Sequence, residues 1–163
     1  LSILLGALQR SGLGTALAND DGTLTVFAPT NAAFDALPIA LRNLLFRNNE
    51  FIVHLQSLLL YNILPQIIAS GDFVNGSTLV TANGESVGIL TNPLSVNEQT
   101  VQFTDFNATN GFTNTINGVL LPSWVFNTVA GRLDNDPDLS ILNLFLNLAG
   151  IDLTPPGELT LLA

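Results

Sequence analysis

The stretch that most constrains what this chain can fold into is Thr23 to Phe34, TLTVFAPTNAAF. Leu24-Thr25-Val26-Phe27 mixes large apolar and β-branched residues, as a strand with at least one buried face would. Pro29 has no N–H to give to a sheet and ends the strand. Thr30 and Asn31 are both good helix N-caps, because their short side chains reach the unpaired amides of a first turn. Ala32, Ala33 and Phe34 then open a helix, with Phe34 large enough to anchor it in a core. The stretch therefore predicts a buried strand, a sharp corner and a capped helix.

The flanking sequence changes period once. Leu1, Leu4, Leu5 and Leu8 form a helical stripe that Gly12 and Gly14 end. Ala16-Leu17-Ala18 reads as a short turn into Asn19-Asp20-Asp21-Gly22, a strong turn signal. Pro38 starts a short helix through Leu41, Leu44 and Leu45. Asn48 or Asn49 caps a further helix from Glu50 to about Leu59, with a wide apolar face of Phe51, Ile52, Leu55, Leu58 and Leu59. Past Tyr61, residues 79–80, 87–90, 94–96, 100–103 and 112–121 read as short strands. Turn dipeptides separate them: Asn75-Gly76, Asn83-Gly84, Asn92-Pro93 and Asn117-Gly118. Ser123 caps a short helix containing Trp124, Val125 and Val129, ended near Gly131. Helices first and strands later predict an α+β domain with an antiparallel sheet or two.

Three ordered segments resemble signatures of the fasciclin domain, an adhesion module of the cell surface and extracellular matrix. They are Thr25 to Phe34, Ile116-Asn117-Gly118-Val119-Leu120-Leu121-Pro122, and Leu60-Tyr61-Asn62-Ile63-Leu64-Pro65. In the last, Asn62 stands where the family usually has His. The resemblance implies the fasciclin fold, with N-terminal helices packed beside a wedge of two small antiparallel β-sheets. It also implies a non-enzymatic adhesion or matrix-binding module whose partners are other matrix or cell-surface proteins or glycans. In relatives the Tyr-His segment is linked to adhesion and integrin binding, which marks Tyr61 and Asn62 as interaction residues. Asn62 can hydrogen-bond but cannot change charge near neutral pH as His can. Asn114 likewise lies near a usual His of the family. The competing reading is structural, with Tyr61 and Asn62 supporting a buried strand and its turn.

The end of the chain echoes its beginning. Leu139-Ser140-Ile141-Leu142 repeats Leu1-Ser2-Ile3-Leu4, and Glu158 to Ala163 parallels Thr23 to Ala28. This predicts a fasciclin-like domain over 1–131, a linker at 132–138, and the opening helix and strand of a following repeat at 139–163, as in a tandem array. The second helix is apolar on nearly every side and needs cover on nearly every side. Self-association through residues 139–163, or packing on a neighbouring repeat, is the expectation.

Composition limits the partners. The chain has 163 residues and net charge −9; Arg10, Arg42, Arg47 and Arg132 are its only Lys or Arg residues. Such a field repels phosphate backbones and anionic lipid, so nucleic acid is not expected. Only 10% of residues are charged and 47% are hydrophobic, a profile that suits a secreted protein. There is no Cys for a disulfide scaffold. No run reaches the ~18 apolar residues of a membrane span. No basic segment opens the chain, so any signal peptide is expected to be missing or removed. Asn75-Gly76-Ser77 and Asn107-Ala108-Thr109 match the N-x-S/T acceptor pattern, which makes Asn75 and Asn107 candidate N-glycosylation sites. The extracellular assignment rests mainly on the resemblance.

Catalytic signals are weak. His54 has Ser57 three residues on and Glu50 four back, a geometry any helix offers, and reads as a structural or surface histidine. Asp134, Asp136 and Asp138 alternate like the start of a calcium loop, but Leu139 and Phe145 occupy the positions that need Gly and Glu. The EF-hand is excluded, and loose divalent-cation binding between repeats stays open. Phosphate loops, zinc spacings and nucleophile elbows are missing. So, on this reading, are pocket-lining cations for an anionic substrate. The expectation is no enzyme, no cofactor and no built metal site. The alternative function is a small-molecule or lipid carrier using a cleft between helices and sheet.

Overall fold

The computed structural model describes residues 1–18, 23–47 and 51–127. The chain divides into two units, Leu1–Pro122 and Ser123–Ala163. In the second, the described part is a short helix, Trp124–Asn127. The turn at Asn19–Gly22, the cap at Asn48 or Asn49, the linker, the acidic run and residues 139–163 lie outside the described residues.

The first unit opens with helices. Helix α1 (Ser2–Ser11) is ended by Gly12, whose φ of 75° is left-handed and whose N–H bonds Gln9 O at 3.2 Å. Helix α2 (Leu13–Ala18) begins at once, so the expected turn at Ala16–Ala18 is helical and Gly14 does not end α1. The buried face of α1 is Leu4, Ala7 and Ser11, while Leu1 and Leu5 are 52% and 59% exposed. Strand β1 (Leu24–Pro29) leads into α3 (Asn31–Asp35), where the Thr30 side chain accepts a hydrogen bond from Ala33 N at 3.2 Å. Helices α4 (Ile39–Arg47) and α5 (Ile52–Tyr61) follow. Fully buried Phe34, Leu45, Leu55, Leu58 and Leu59 make the apolar interior of this helical half. Phe34 meets Phe46 edge to face at 5.8 Å.

The strands form one seven-stranded sheet in the order β2-β1-β7-β6-β5-β4-β3. They are β2 (Ile63–Leu64), β3 (Thr78–Val80), β4 (Ser86–Thr91), β5 (Leu94–Val96), β6 (Gln99–Ala108) and β7 (Gly111–Ile116). The expected wedge of two small antiparallel sheets is thereby corrected to a single mixed sheet. The physical reason is one parallel pairing, β1 with β7, in register from Leu24↔Gly111 to Pro29↔Ile116. Turn dipeptides specify only neighbouring antiparallel hairpins, whereas this ladder joins the first strand to the last. Strand β7 ends at Ile116, short of the expected Leu121, yet Val119 and Leu120 beyond it are buried.

Flanked by β2 and β7, β1 is buried along nearly its whole length, with Val26 half-buried. Phe27 enters a core with Leu64, Phe73, Val87, Ile89, Val96, Ile116 and Leu120. Each such side chain contributes roughly 1.5–3 kcal/mol by leaving water. Buried Thr25 is satisfied: its hydroxyl donates to Gln66 O and accepts from Ile68 N, both at 2.9 Å, which pins the loop after β2.

Candidate functional site

The three signature segments meet at one residue. Asn62 follows the last turn of α5, and its side chain is buried, 2% exposed. Its main-chain oxygen accepts from Phe27 N at 2.8 Å. Its Nδ2 donates to Leu58 O at 2.8 Å and to Leu120 O at 3.1 Å, and its Oδ1 accepts from Leu120 N at 3.3 Å. One carboxamide thus ties helix α5, strand β1 and the segment after β7 together. The donor and acceptor of an amide suit a backbone N–H and C=O on the same residue.

Tyr61 is 5% exposed and ends α5 rather than lying in a strand. Its hydroxyl donates to Ser86 O at 3.1 Å and accepts from Asn97 Nδ2 at 2.8 Å. Burial pushes the phenol above its ordinary value of 10.0; the hydrogen bond from Asn97 opposes this, and the Glu85 carboxylate adds to it. Both residues named by the Tyr-His segment therefore face inward, where they hold the fold and present little surface to a partner.

What the structure presents outward is aromatic. Phe103 and Phe106 on β6 are 62% and 54% exposed, with ring centroids 6.3 Å apart. Residues three apart on a regular strand point to opposite faces. Here Phe103 pairs with Thr115 and Phe106 with Thr113, so β6 spends an extra residue and both rings emerge on one face. Asp105 makes the bulge, with φ 57°. It is held from two sides: its N–H donates to Asn114 Oδ1 at 2.9 Å, and its carboxylate accepts from Ser70 N at 2.8 Å and from the Ser70 hydroxyl. Asn114, fully buried, is thus part of the device that displays the aromatic pair. No sequence period marks this arrangement, because a spacing of three fits neither a strand nor a strand's turn.

The remaining candidates are dispersed. Asn75 and Asn107 are both exposed. Asn75 Oδ1 accepts from Thr91 N at 3.0 Å, and Asn107 lies on β6 opposite Phe112. His54 is half-buried and its ring stacks near Phe51 at 5.2 Å. Among the described residues there is no group of three His, Cys, Asp or Glu placed to hold a metal. No described helix is long and apolar enough to cross a membrane.

The model of the fasciclin domain matches residues 1–122, ending where the first unit ends. The chain belongs to the fasciclin domain family. It is 38% identical over 123 residues to pig transforming growth factor-beta-induced protein ig-h3, an alignment covering 74% of this chain and 17% of that protein. Human periostin is 31% identical over 166 residues, covering all of this chain and 19% of periostin. Protein sll1483 of Synechocystis is 35% identical, covering 74% of this chain and 67% of its own length. The fold is similar to that of a FAS1 domain pair from the insect cell adhesion molecule fasciclin I. The TM-score is 0.52 at 20% identity, over 91% of this chain and 53% of that one.

Proposed function

We propose that this chain is a non-enzymatic adhesion or matrix-binding module acting outside the cell, one repeat of a tandem fasciclin protein. The observation that carries the reading is the aromatic pair Phe103 and Phe106, held outward by a bulge with buried and bonded supports. Large apolar rings kept exposed at such structural expense mark an interaction surface. Membership of the fasciclin family supports it, as does likeness in fold to a pair from an insect cell adhesion molecule. The periostin alignment, which runs through residues 132–163 as well, supports the tandem arrangement. The partners are matrix or cell-surface proteins or glycans, and repetition multiplies weak single contacts into avidity. Residues 139–163 pack on a neighbouring repeat or on a second copy, and Asn75 and Asn107 carry glycans in a secretory host.

The test is attachment of cells to surfaces coated with this chain. Cells are expected to adhere, and the double substitution Phe103→Ser with Phe106→Ser is expected to abolish most of the attachment. Because both rings are exposed, the double variant should keep its stability within about 1 kcal/mol. Attachment no better than to an inert coating, or undiminished in the double variant, would refute the reading.

A further inference from the structure

Three of the four arginines of this acidic chain converge on one groove. Arg10 comes from α1, and Arg42 and Arg47 come from α4. The groove has a volume of about 660 Å³, within the roughly 300–1,000 Å³ of sites that take small organic ligands. Its apolar walls include Ile3, Ile39 and Phe46. The expectation that pocket-lining cations are missing is therefore corrected: the fold gathers what the sequence scatters.

The arginines are differently engaged. Arg10 Nη1 donates to Phe46 O, which joins α1 to α4 and fixes the groove's width. Arg42 pairs with Asp35 at 3.0 Å through Nη1, with both side chains well exposed. Arg42's contacts to Asp35 come from Nη1 alone, on one edge of a planar guanidinium that carries five N–H donors. Among the described residues Asp35 is the one carboxylate lining the groove, so three guanidiniums leave that lining net positive within a chain of net charge −9. Net positive charge set between apolar walls suits an anion that also carries an apolar body.

We propose that this groove binds a small amphiphilic carboxylate of the medium-chain fatty-acid type. The carboxylate takes the guanidiniums of Arg42 and Arg47 in charge-assisted hydrogen bonds. The alkyl chain lies along Ile3, Ile39 and Phe46. This is a binding activity separate from adhesion and does not rest on the aromatic pair.

Gly6 supplies a clean test. It lines the groove in mid-α1, and a Cβ built there meets nothing within 4 Å. Replacing a helical glycine removes a destabilising residue, so Gly6→Leu is expected to fold while filling the groove. Calorimetric titration with decanoate is the measurement, alongside thermal melts of each variant. The original chain should bind one decanoate with saturation by millimolar concentration. Arg42→Gln with Arg47→Gln should weaken binding at least about tenfold, Gly6→Leu should abolish it, and decanol should bind at least about tenfold more weakly than decanoate. No saturable heat with the original chain, unchanged affinity in either variant, or equal binding of decanol would overturn the proposal. Adhesion measured on the same variants is expected to be unaltered.

Discussion

Replacing Asn62 by Ala tests whether the meeting of the three signature segments holds the domain together. The substitution removes three hydrogen bonds, of 2.8, 3.1 and 3.3 Å. Leu120 is 1% exposed, so its N–H and C=O lose their side-chain partner where water does not reach. Each buried group left unpaired costs about 1–3 kcal/mol, which puts the loss at roughly 4 kcal/mol. For a domain of about 120 residues, 1 kcal/mol corresponds to ~4 °C, so the melting temperature should fall by about 15 °C. Urea unfolding followed by circular dichroism measures the same quantity as a lower midpoint at unchanged slope. Asn62→Asp sharpens the reasoning, because it keeps the shape and removes the donor. A carboxylate there faces the carbonyls of Leu58 and Leu120, so its folded-state pKa is expected to rise above the ordinary carboxylate range. The penalty is then full above that raised folded-state value, eases as the pH falls from there towards the unfolded value of about 3.9, and is gone below it, where the protonated acid can donate. A loss under about 1 kcal/mol for Asn62→Ala would refute the assignment, since it would mean Leu120 finds partners elsewhere.

Two further outcomes follow from the same geometry. Tyr61 is the only tyrosine, so its ionisation can be followed directly by the phenolate absorbance. Its folded-state pKa is raised, so the folded form holds its proton while the unfolded form loses it. Stability should therefore fall as pH rises through 10.0 and above, and this slope should vanish in Tyr61→Phe. Gly111→Ala should be severe: the new Cβ would lie 1.7 Å from Leu24 O at a φ of 156°. A loss of about 4 kcal/mol or more is expected, against about 1 kcal/mol for Gly76→Ala, whose Cβ meets nothing within 4 Å. Equal melting temperatures for the two glycine variants would contradict the close β1–β7 approach.

The parts of this structure that were legible in the sequence depend on near neighbours. Thr30 caps Ala33 three residues away, and the strand-corner-helix unit follows from residues 24–34 alone. Asn83-Gly84 and Asn92-Pro93 fall at the turns from β3 to β4 and from β4 to β5. What was not legible depends on distant partners. Strand β2 is two residues long, too short for any period, and exists because β1 pairs with it at Thr25↔Leu64 and Val26↔Ile63. The parallel ladder needs Gly111 beside Leu24, which no local pattern encodes. The bulge at Asp105 depends on Asn114 and Ser70, and the groove arginines come from two helices. Tyr61 and Asn62 were found by resemblance, yet their inward orientation is set by Ser86, Asn97 and Leu120, each remote in the chain.

The parallel ladder also bears on how such a domain is made. As the chain leaves the ribosome, β1 emerges long before β7, and until residue 116 is synthesised its main companion is the two-residue β2. An apolar strand with a vacant edge must wait through most of the domain's synthesis, and in a tandem protein the equivalent closing strand of the copy already made is present to occupy that edge first. Exchange of the closing strand between adjacent copies is accordingly the misassembly to which this architecture is most prone.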